Sequence, residues 1–343
     1  MNQATFRAGK SRLIYCDDSL PGLTRRKAGA GWAYFDAKGK RITDRAEIDR
    51  LNRIALPPAY GDAWFCPMEN GHLLATGIDA KGRRQYRYHP DFRAHQEGEK
   101  FDATAQFGRL LPLVRKRVED DLRSPRLSQE RAVASIVRLL DTGGIRIGNE
   151  TYAKENKSFG ATTLRMRHAA VSGNVLKLRF KAKSGKLCEM KITDKSLARF
   201  VKRMQDLPGQ HLFQYLDDNG EAQPVGSVEV NDYLRETMGE DFTAKNFRTW
   251  HASAIGLQAL AEAEGTLSVK ALAQAVSERL GNTPAIARKS YIHPAVIALV
   301  DCQVKWRGKL KLPRATPGLK RYERALIDLL DNGPSAAKLI AAA

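Results

Sequence analysis

The spacing of hydrophobic and polar positions divides the chain into two regions. Between about residues 11 and 90, short aromatic and β-branched runs alternate with turn residues such as Asn70-Gly71, which is typical of antiparallel hairpins. Asp44 can cap a short helix, with Glu47 completing a capping box. The predicted strands are residues 32–35, 40–43, 64–67, 72–78 and 83–89. We therefore expect a small β-rich domain over residues 1–90, followed by a polar linker that reaches about Lys100.

The second region, residues 91–343, has the periodicity of helices from about residue 101. A helix is predicted before Gly143-Gly144, because apolar residues recur there at helical spacing, at Val133, Ile136, Val137 and Leu140. Further helices are predicted to begin after Thr243, after Ser268 and at Thr283-Pro284. Two alternating runs, residues 176–180 and 190–192, flank a loop and predict a β-hairpin. The expected class is α+β, with the larger, mainly helical domain second.

Charge narrows the choice of partner. The 343 residues include 57 Lys and Arg against 38 Asp and Glu, a net charge of +19 with a pI near 9.9. Such an excess favours a polyanion, although some basic cytosolic proteins have no polyanionic partner. No run of 18 apolar residues predicts a membrane span, and no lipidation signal points to a membrane surface.

The four cysteines are far apart in the sequence, at Cys16, Cys66, Cys188 and Cys302, and form no CxxC pair. Neither a zinc site nor a disulfide framework is predicted. We interpret them as reduced thiols of a cytoplasmic protein.

The chain has none of the common metal or nucleotide motifs, so no cofactor or metal is expected and any chemistry must come from side chains. Metal-free cleavage of a phosphodiester needs a nucleophile, cations around the non-bridging oxygens, and an acid for the leaving oxygen. Arginine suits the second role because its fork meets two phosphate oxygens and stays charged.

Two segments place cations at predicted chain turns, one just after a helix and one at the tip of the hairpin. The segment Gly144-Ile-Arg-Ile-Gly-Asn-Glu150 follows a predicted helix end, and Arg146 there either contacts an anion or simply pairs with Glu150. The segment Lys181-Ala-Lys-Ser-Gly-Lys186 is the hairpin tip, where lysines are usually solvated. Taken alone, each is more often an ordinary surface feature.

Two further segments complete the set. Arg248 lies among aromatic and alanine residues early in a predicted helix, where it either binds an anion or pairs with Glu240 or Asp241. Tyr291 follows Arg288 and Lys289, whose charges are expected to favour a phenolate. A lone tyrosine is usually part of a core or an interface.

In this order the four segments resemble type IB DNA topoisomerases, the poxvirus-like branch found in bacteria. The segment around Arg146, continuing to Tyr152-Ala-Lys-Glu-Asn-Lys-Ser-Phe-Gly160, is similar to the family's first-arginine segment. Phe180-Lys-Ala-Lys183 resembles its lysine hairpin, Phe247-Arg248-Thr-Trp its second-arginine segment, and Leu280-Gly-Asn-Thr-Pro with Lys-Ser-Tyr291 its nucleophile segment. The resemblance extends over nearly the whole chain.

The resemblance implies catalytic roles for these residues. Tyr291 would form a 3′-phosphotyrosyl bond, Arg146 and Arg248 would stabilise the transition state, and Lys183 would protonate the leaving 5′-oxygen, with Lys181 and Lys186 as alternatives. Asn282 stands where the family often has histidine; its amide can donate a hydrogen bond but cannot shuttle a proton.

The resemblance also implies that the two domains form a C-shaped clamp on double-stranded DNA, that the enzyme acts as a monomer without ATP or metal, and that it is associated with the nucleoid. The strand segment Arg83-Arg84-Gln85-Tyr86-Arg-Tyr88 mixes cations, an amide and aromatic rings, the composition for phosphate and base contacts, and Gln85, Tyr86 and Tyr88 occupy the family's base-contacting places. An ordinary strand with basic exposed positions explains that composition equally well.

Two other functions share parts of this pattern. A tyrosine site-specific recombinase has the same catalytic logic, but the β-rich first domain and the Gly-Asn-Thr-Pro segment do not fit one. A non-catalytic basic DNA-binding protein would keep the charge without needing Tyr291, Arg146 and Arg248. Relaxation of a supercoiled plasmid in EDTA separates these alternatives.

Overall fold

A computed structural model of the chain describes residues 5–8 and 11–342. These separate into two compact units: one runs to Lys100 and includes the chain end from Ile340, and the other spans Phe101–Leu339. The first is rich in strands and the second is mainly helical, which confirms the α+β class. Within the described part of the chain, no helix is both long and apolar enough to cross a membrane.

The first unit is built on an antiparallel sheet in the order β4-β3-β5-β6-β7, with β1 and β2 paired separately. A core that includes Tyr34, Leu51 and Phe65 joins this sheet to helix α1. The strands are β1 (Thr5–Ala8), β2 (Ser11–Ile14), β3 (Leu23–Ala28), β4 (Gly31–Phe35), β5 (Gly61–Phe65), β6 (Leu73–Ile78) and β7 (Arg84–Tyr88), and the helices are α1 (Arg45–Arg53) and α2 (Pro90–Asp102).

The prediction of a strand over residues 40–43 is wrong. Only an isolated bridge joins Arg41 to Phe35, because the chain leaves the sheet at once to enter α1. Asp44 caps that helix as predicted, accepting from the Ala46 amide at 3.1 Å. The capping box is not formed, since Glu47 instead accepts two hydrogen bonds from Arg50.

The segment predicted as a polar linker is the helix α2. Proline at its first position needs no backbone donor, and the His89 ring accepts a hydrogen bond from the Asp91 amide at 3.2 Å. Local capping chemistry therefore forms a helix where the sequence lacks an apolar stripe.

The Cys16 and Cys66 thiols lie close together although 50 residues separate them in the sequence. Their sulfurs are 3.0 Å apart and both thiols are free. Burial, followed by the hydrogen bond to Cys66, raises the pKa of the Cys16 thiol to about 12, so this thiol stays protonated at neutral pH.

The second unit contains helices that pack around one continuous core, with Phe107, Phe247 and Trp250 among its largest buried side chains. The helices are α3 (Thr104–Arg123), α4 (Gln129–Gly143), α5 (Glu150–Asn156), α6 (Lys195–Met204), α7 (Ser227–Met238), α8 (Ala244–Glu262), α9 (Val269–Leu280), α10 (Pro284–Ser290), α11 (Pro294–Ala298), α12 (Gln303–Lys309) and α13 (Arg321–Asn332). A last helix, α14 (Ala336–Ala342), spans the boundary between the units.

The predicted helix signals in this unit are confirmed. Ser268 and Thr283 accept hydrogen bonds from the first turns of α9 and α10, and Thr243 forms a capping box at α8. Gly144 ends α4 in the left-handed conformation, with φ of 59°. The predicted hairpin is also confirmed, within a sheet of order β10-β9-β8. The strands of this unit are β8 (Ala169–Ser172), β9 (Val175–Lys181), β10 (Leu187–Thr193), β11 (Gln214–Leu216) and β12 (Ala222–Pro224).

Candidate active site

Arg248, in the second turn of α8, joins the ends of two other helices. Its side chain is buried and donates hydrogen bonds to the carbonyl oxygens of Gly144, just past the end of α4, and of Leu280, the last residue of α9, the latter at 3.0 Å. Carbonyls at helix C-termini lack partners within the helix and carry partial negative charge, so a guanidinium is a suitable donor. Its partners are thus carbonyls rather than the carboxylates of Glu240 or Asp241.

These carbonyls leave the charge of Arg248 without a full anionic counterpart. Burial lowers the pKa of the Arg248 guanidinium and the nearby Arg146 lowers it further, while the Tyr291 phenol opposes both effects. The Nε atom of Arg248 is buried and has no hydrogen-bond partner among the described residues. Two neighbouring guanidinium groups form a site that favours an anion.

Tyr291 lies directly over Arg248. It immediately follows α10, and the centre of its ring is 4.8 Å from the Arg248 guanidinium carbon. Its amide donates to the Ala287 carbonyl at 3.1 Å, and its own carbonyl accepts from the Ser253 hydroxyl at 3.4 Å. The half-buried phenol also forms hydrogen bonds with Arg248 and Arg146.

The arginines change the acidity of Tyr291. Burial by itself raises the pKa of the phenol, but the charge and hydrogen bond of Arg248, followed by those of Arg146, outweigh it and hold the pKa below its ordinary value. Arg288 and Lys289, the chain neighbours expected to do this, are exposed, and the main lowering comes from other elements of the fold.

Tyr233 provides a useful contrast within the same unit. Its phenol donates a hydrogen bond to the Asp121 carboxylate at 2.7 Å. Burial and then this carboxylate raise the pKa of Tyr233 well above its ordinary value. A phenol in that environment is a poor nucleophile, whereas the environment of Tyr291 favours the phenolate.

Arg146 is positioned through its backbone by a second segment. The Ala161 amide donates to the Arg146 carbonyl at 2.8 Å, and the Thr162 amide donates to the Ile147 carbonyl at 2.7 Å. A β-carbon on Gly160 would lie 2.6 Å from the Arg146 carbonyl oxygen and from the Gly148 nitrogen. The close approach of these two backbones therefore requires glycine at position 160.

The pairing of Arg146 with Glu150 that the sequence allows does not occur. The Glu150 carboxylate is bonded to Arg165, and the His211 ring lies 3.5 Å from it. Arg146 remains half-exposed, with its guanidinium directed to the Tyr291 phenol.

Asn282 is buried near the end of α9, two residues beyond the carbonyl that Arg248 binds. Its side-chain oxygen and nitrogen are both buried, and neither has a hydrogen-bond partner among the described residues. A buried amide without partners costs free energy, and a ligand that forms hydrogen bonds with it would remove that cost.

Lys183 lies at the tip of the β9–β10 hairpin, where Ser184 adopts a left-handed conformation with φ of 65°. Lys183 and Lys186 line the same cavity of about 860 Å³ as Arg146 and Arg248. Strand alternation directs Lys181 away from the face that buries Phe180, and it does not line the cavity. The geometry thus favours Lys183 and Lys186 over Lys181. Neither Tyr291 nor Asn282 lines this cavity.

The predicted DNA contacts of the first unit differ among themselves. Arg83 and Gln85 both donate to Asp79 within the β6–β7 turn, and Arg84 pairs with Asp18 at 2.8 Å. The rings of Tyr86 and Tyr88 are stacked with centres 5.9 Å apart, and both are exposed. Alternation along β7 places Gln85 on the opposite face from the two tyrosines. Of the five predicted contacts, Tyr86 and Tyr88 are therefore the two whose side chains are exposed and are not held by a neighbouring aspartate.

Sequence reasoning missed two features behind the site. Ser253 is fully buried on α8 and holds the backbone at Tyr291 and His293, because its hydroxyl accepts from the His293 amide at 3.0 Å and contacts the Tyr291 carbonyl. A serine within the alanine-rich face of α8, five residues after Arg248, was the available signal. The second feature is Arg115 on α3, which forms ion pairs with Asp141 and Glu323. These partners are 26 and 208 residues away in the sequence, so no local pattern indicates them.

Known protein families match most of this chain. Residues 89–301 match the family described as the catalytic core of eukaryotic DNA topoisomerase I, and residues 31–79 match the N-terminal domain of bacterial DNA topoisomerase IB. The first match contains Arg146, Lys183, Arg248 and Tyr291.

Individual relatives agree with the family matches. DNA topoisomerase 1B of Acanthamoeba polyphaga mimivirus is 31% identical over 287 residues, covering 80% of this chain and 85% of the relative. DNA topoisomerase 1B of vaccinia virus strain Copenhagen is 22% identical over 66% of this chain and 72% of its own. DNA topoisomerase 1 of Mycosarcoma maydis is 30% identical over 49% of this chain and 19% of its own. The chain therefore belongs to the type IB DNA topoisomerase family, whose activity is the relaxation of DNA.

Proposed function

We propose that this enzyme relaxes supercoiled DNA by cutting one strand with Tyr291 and resealing it, without ATP or a metal ion. The observation that carries the proposal is the position of Tyr291, whose ring centre lies 4.8 Å from the Arg248 guanidinium carbon and whose phenol has a pKa lowered by Arg248 and then by Arg146. A phenolate is the reactive form of tyrosine, and stabilising it makes attack feasible at neutral pH.

The proposed reaction is a reversible transesterification. The Tyr291 oxygen attacks the phosphorus, and the bond from phosphorus to the 5′-oxygen breaks. Lys183 gives its proton to that oxygen, leaving a free 5′-hydroxyl and a 3′-phosphotyrosyl bond. After the cut strand has swivelled, the 5′-hydroxyl attacks the phosphotyrosine, returns its proton to Lys183 and releases Tyr291. One phosphodiester is exchanged for another, so no external energy is needed.

Three side chains stabilise the charge that develops on the non-bridging oxygens. Arg248 and Arg146 supply positive charge, and Asn282 supplies an amide N–H that has no partner among the described residues. Donors fixed in advance in a partly buried site are effective because they need no reorganisation during the reaction. The exposed pair Tyr86 and Tyr88 contacts bases, and a single chain carries all these groups, consistent with action as a monomer.

The test is relaxation of a supercoiled plasmid in EDTA without nucleotide. We expect the wild-type enzyme to relax positive and negative supercoils, and Tyr291→Phe to bind DNA without relaxing it. A suicide duplex should give a covalent adduct that peptide mapping places on Tyr291. A strict need for magnesium or ATP, or an adduct on another residue such as Tyr233, would contradict the proposal.

The same assay separates this function from site-specific recombination. A recombinase acts on paired specific sites, whereas the proposed enzyme relaxes a plasmid that has none. The relatives reported above are topoisomerases, which favours relaxation.

A further inference from the structure

A strongly basic segment follows the catalytic core. The matched core ends at residue 301, and residues 305–321, here termed the basic strap, lie beyond it. The strap has no Asp or Glu, and its cations are Lys305, Arg307, Lys309, Lys311, Arg314, Lys320 and Arg321. The side chains of basic runs are usually just solvated. A binding role therefore has to be argued from the packing and exposure of the segment.

The strap is held firmly on the second unit. Trp306, Leu312 and Leu319 pack partly buried against the main core. Arg307 donates to the carbonyl oxygens of Leu260 and Gly265, at 3.0 and 2.7 Å. Apolar anchors and one inward-facing arginine therefore fix the segment.

The other cations of the strap face solvent. Lys305 and Lys309 lie one turn apart on α12, on the same face of the helix, and both are exposed. Lys311, Arg314, Lys320 and Arg321 are exposed as well. Among the described residues, no carboxylate forms an ion pair with any of these six. Clustered like charges repel each other, and a polyanion would remove that repulsion.

The strap also borders one side of the candidate site. Its residues Thr316, Gly318 and Lys320 line the cavity that Arg146 and Arg248 line. Lys320 thus places one cation of the strap beside the residues proposed to hold the scissile phosphate, and the strap is positioned to meet neighbouring phosphates of the same duplex.

We propose that the basic strap binds the phosphate backbone of duplex DNA on one flank of the scissile phosphate. Lysines act there as mobile point charges, suited to contacts that do not depend on sequence. The proposal rests on the DNA substrate of the family and on the placement of the cavity, and it does not require Tyr291 to be the nucleophile.

The test compares two triple variants, each made in the Tyr291→Phe protein so that binding is read without cleavage. The strap variant is Lys305→Gln/Lys309→Gln/Lys311→Gln, and the control removes the same charge from scattered exposed lysines, Lys116→Gln/Lys202→Gln/Lys270→Gln. Fluorescence anisotropy with a labelled duplex gives the affinity at several salt concentrations.

Each phosphate contact contributes about 0.9 to the slope of log affinity against log salt, so the strap variant should lose about 2–3 of that slope. The control should lose much less. A slope equal to that of the parent, or an equal loss in the control, would overturn the proposal.

A thermal melt at low salt guards against a merely structural effect. Removing three repelling charges should leave the Tm unchanged or raise it, and a large fall in Tm accompanying the weaker binding would overturn the proposal. Cleavage by the Tyr291→Phe parent would refute the assigned nucleophile and leave the strap result standing, so the two failures are distinguishable.

Discussion

Two arginines of the helical unit, the largely buried Arg115 and the buried Arg248, line the same cavity but differ in whether a carboxylate balances their charge. Arg115 on α3 contacts the carboxylates of Asp141 at 2.8 Å and Glu323 at 2.7 Å. Burial opposes its charge, but Glu323 and Asp141 outweigh burial and raise the pKa of Arg115. Among the described residues, the partners of Arg248 are carbonyls and a phenol, and burial together with Arg146 lowers its pKa.

The difference indicates that the two arginines have different roles, which depend on whether carboxylates balance their charge. Arg115 is matched by two carboxylates, so its charge serves to hold α3, α4 and α13 together. Arg248 is held in place but not neutralised, so its charge is available to a phosphate. A perturbed cation in a cleft is a functional candidate, whereas a fully paired one is structural.

Removing Arg248 should give the largest effect on chemistry. Arg248→Ala should slow single-turnover cleavage by about 10²–10³, as loss of one transition-state donor does, with a much smaller change in DNA affinity. Rapid-quench assays at saturating enzyme measure the rate. A loss confined to affinity would reassign Arg248 to anchoring and remove the contrast with Arg115.

Removing Arg115 should act mainly on stability. Arg115→Met leaves Asp141 and Glu323 buried without their cation and should lower the free energy of unfolding by about 3–5 kcal/mol, measured in urea at neutral pH. The pKa values of both carboxyls are lowered in the folded state, so their contribution is present at neutral pH and is lost as the pH falls below about 4.

The deficit of Arg115→Met should therefore shrink in acid. The double variant Arg115→Met/Asp141→Asn should recover part of the stability lost. An unchanged unfolding curve in Arg115→Met would show that the ion pairs of Arg115 with Asp141 and Glu323 do not contribute to the stability of the fold.

Lys183 can be tested with a substrate that has sulfur in place of the bridging 5′-oxygen. Lys183→Ala should be about 10²-fold slow on ordinary DNA and close to wild type on the sulfur substrate, because a thiolate leaves without acid assistance. Arg248→Ala should be slow on both substrates. Equal slowing of Lys183→Ala on both would refute the acid role, and normal rates on both would transfer it to Lys186.

Gly160 should show a smaller effect, through the position of Arg146. The added β-carbon in Gly160→Ala must displace the Arg146 backbone, and we expect about a tenfold slower cleavage, since small misplacements of catalytic groups are costly. The control Gly31→Ala adds the same methyl group where no atom lies within 4 Å. Equal rates in both variants would show that the close backbone approach does not position Arg146.

Local signals allowed much of this fold to be predicted from sequence. Ser268, Thr283 and Gly144 were identified because capping is a contact within a few residues of the chain. The helix α2 was missed, since its polar composition resembles that of a linker and its start depends on the side chain of His89.

The site residues could be proposed from sequence, but their arrangement could not. The bond from Arg248 to Gly144 spans 104 residues, and that from Arg115 to Glu323 spans 208. No local pattern distinguishes the paired arginine from the unpaired one. The choice between Glu240, Asp241 and backbone carbonyls as partners of Arg248 is decided only by packing.

The pKa of the Tyr291 phenol tests the account most directly. It can be measured by NMR titration of the protein labelled with ¹³C at the tyrosine ζ-carbon. Tyr233 serves as an internal reference, because its pKa is shifted upward whereas that of Tyr291 is shifted downward. We predict that Tyr291 titrates below the ordinary value of about 10 and moves upward in Arg146→Ala, while Tyr233 titrates above that value in both proteins. A Tyr291 phenol that titrates at or above 10, or that does not respond to Arg146→Ala, would contradict activation by unmatched arginines.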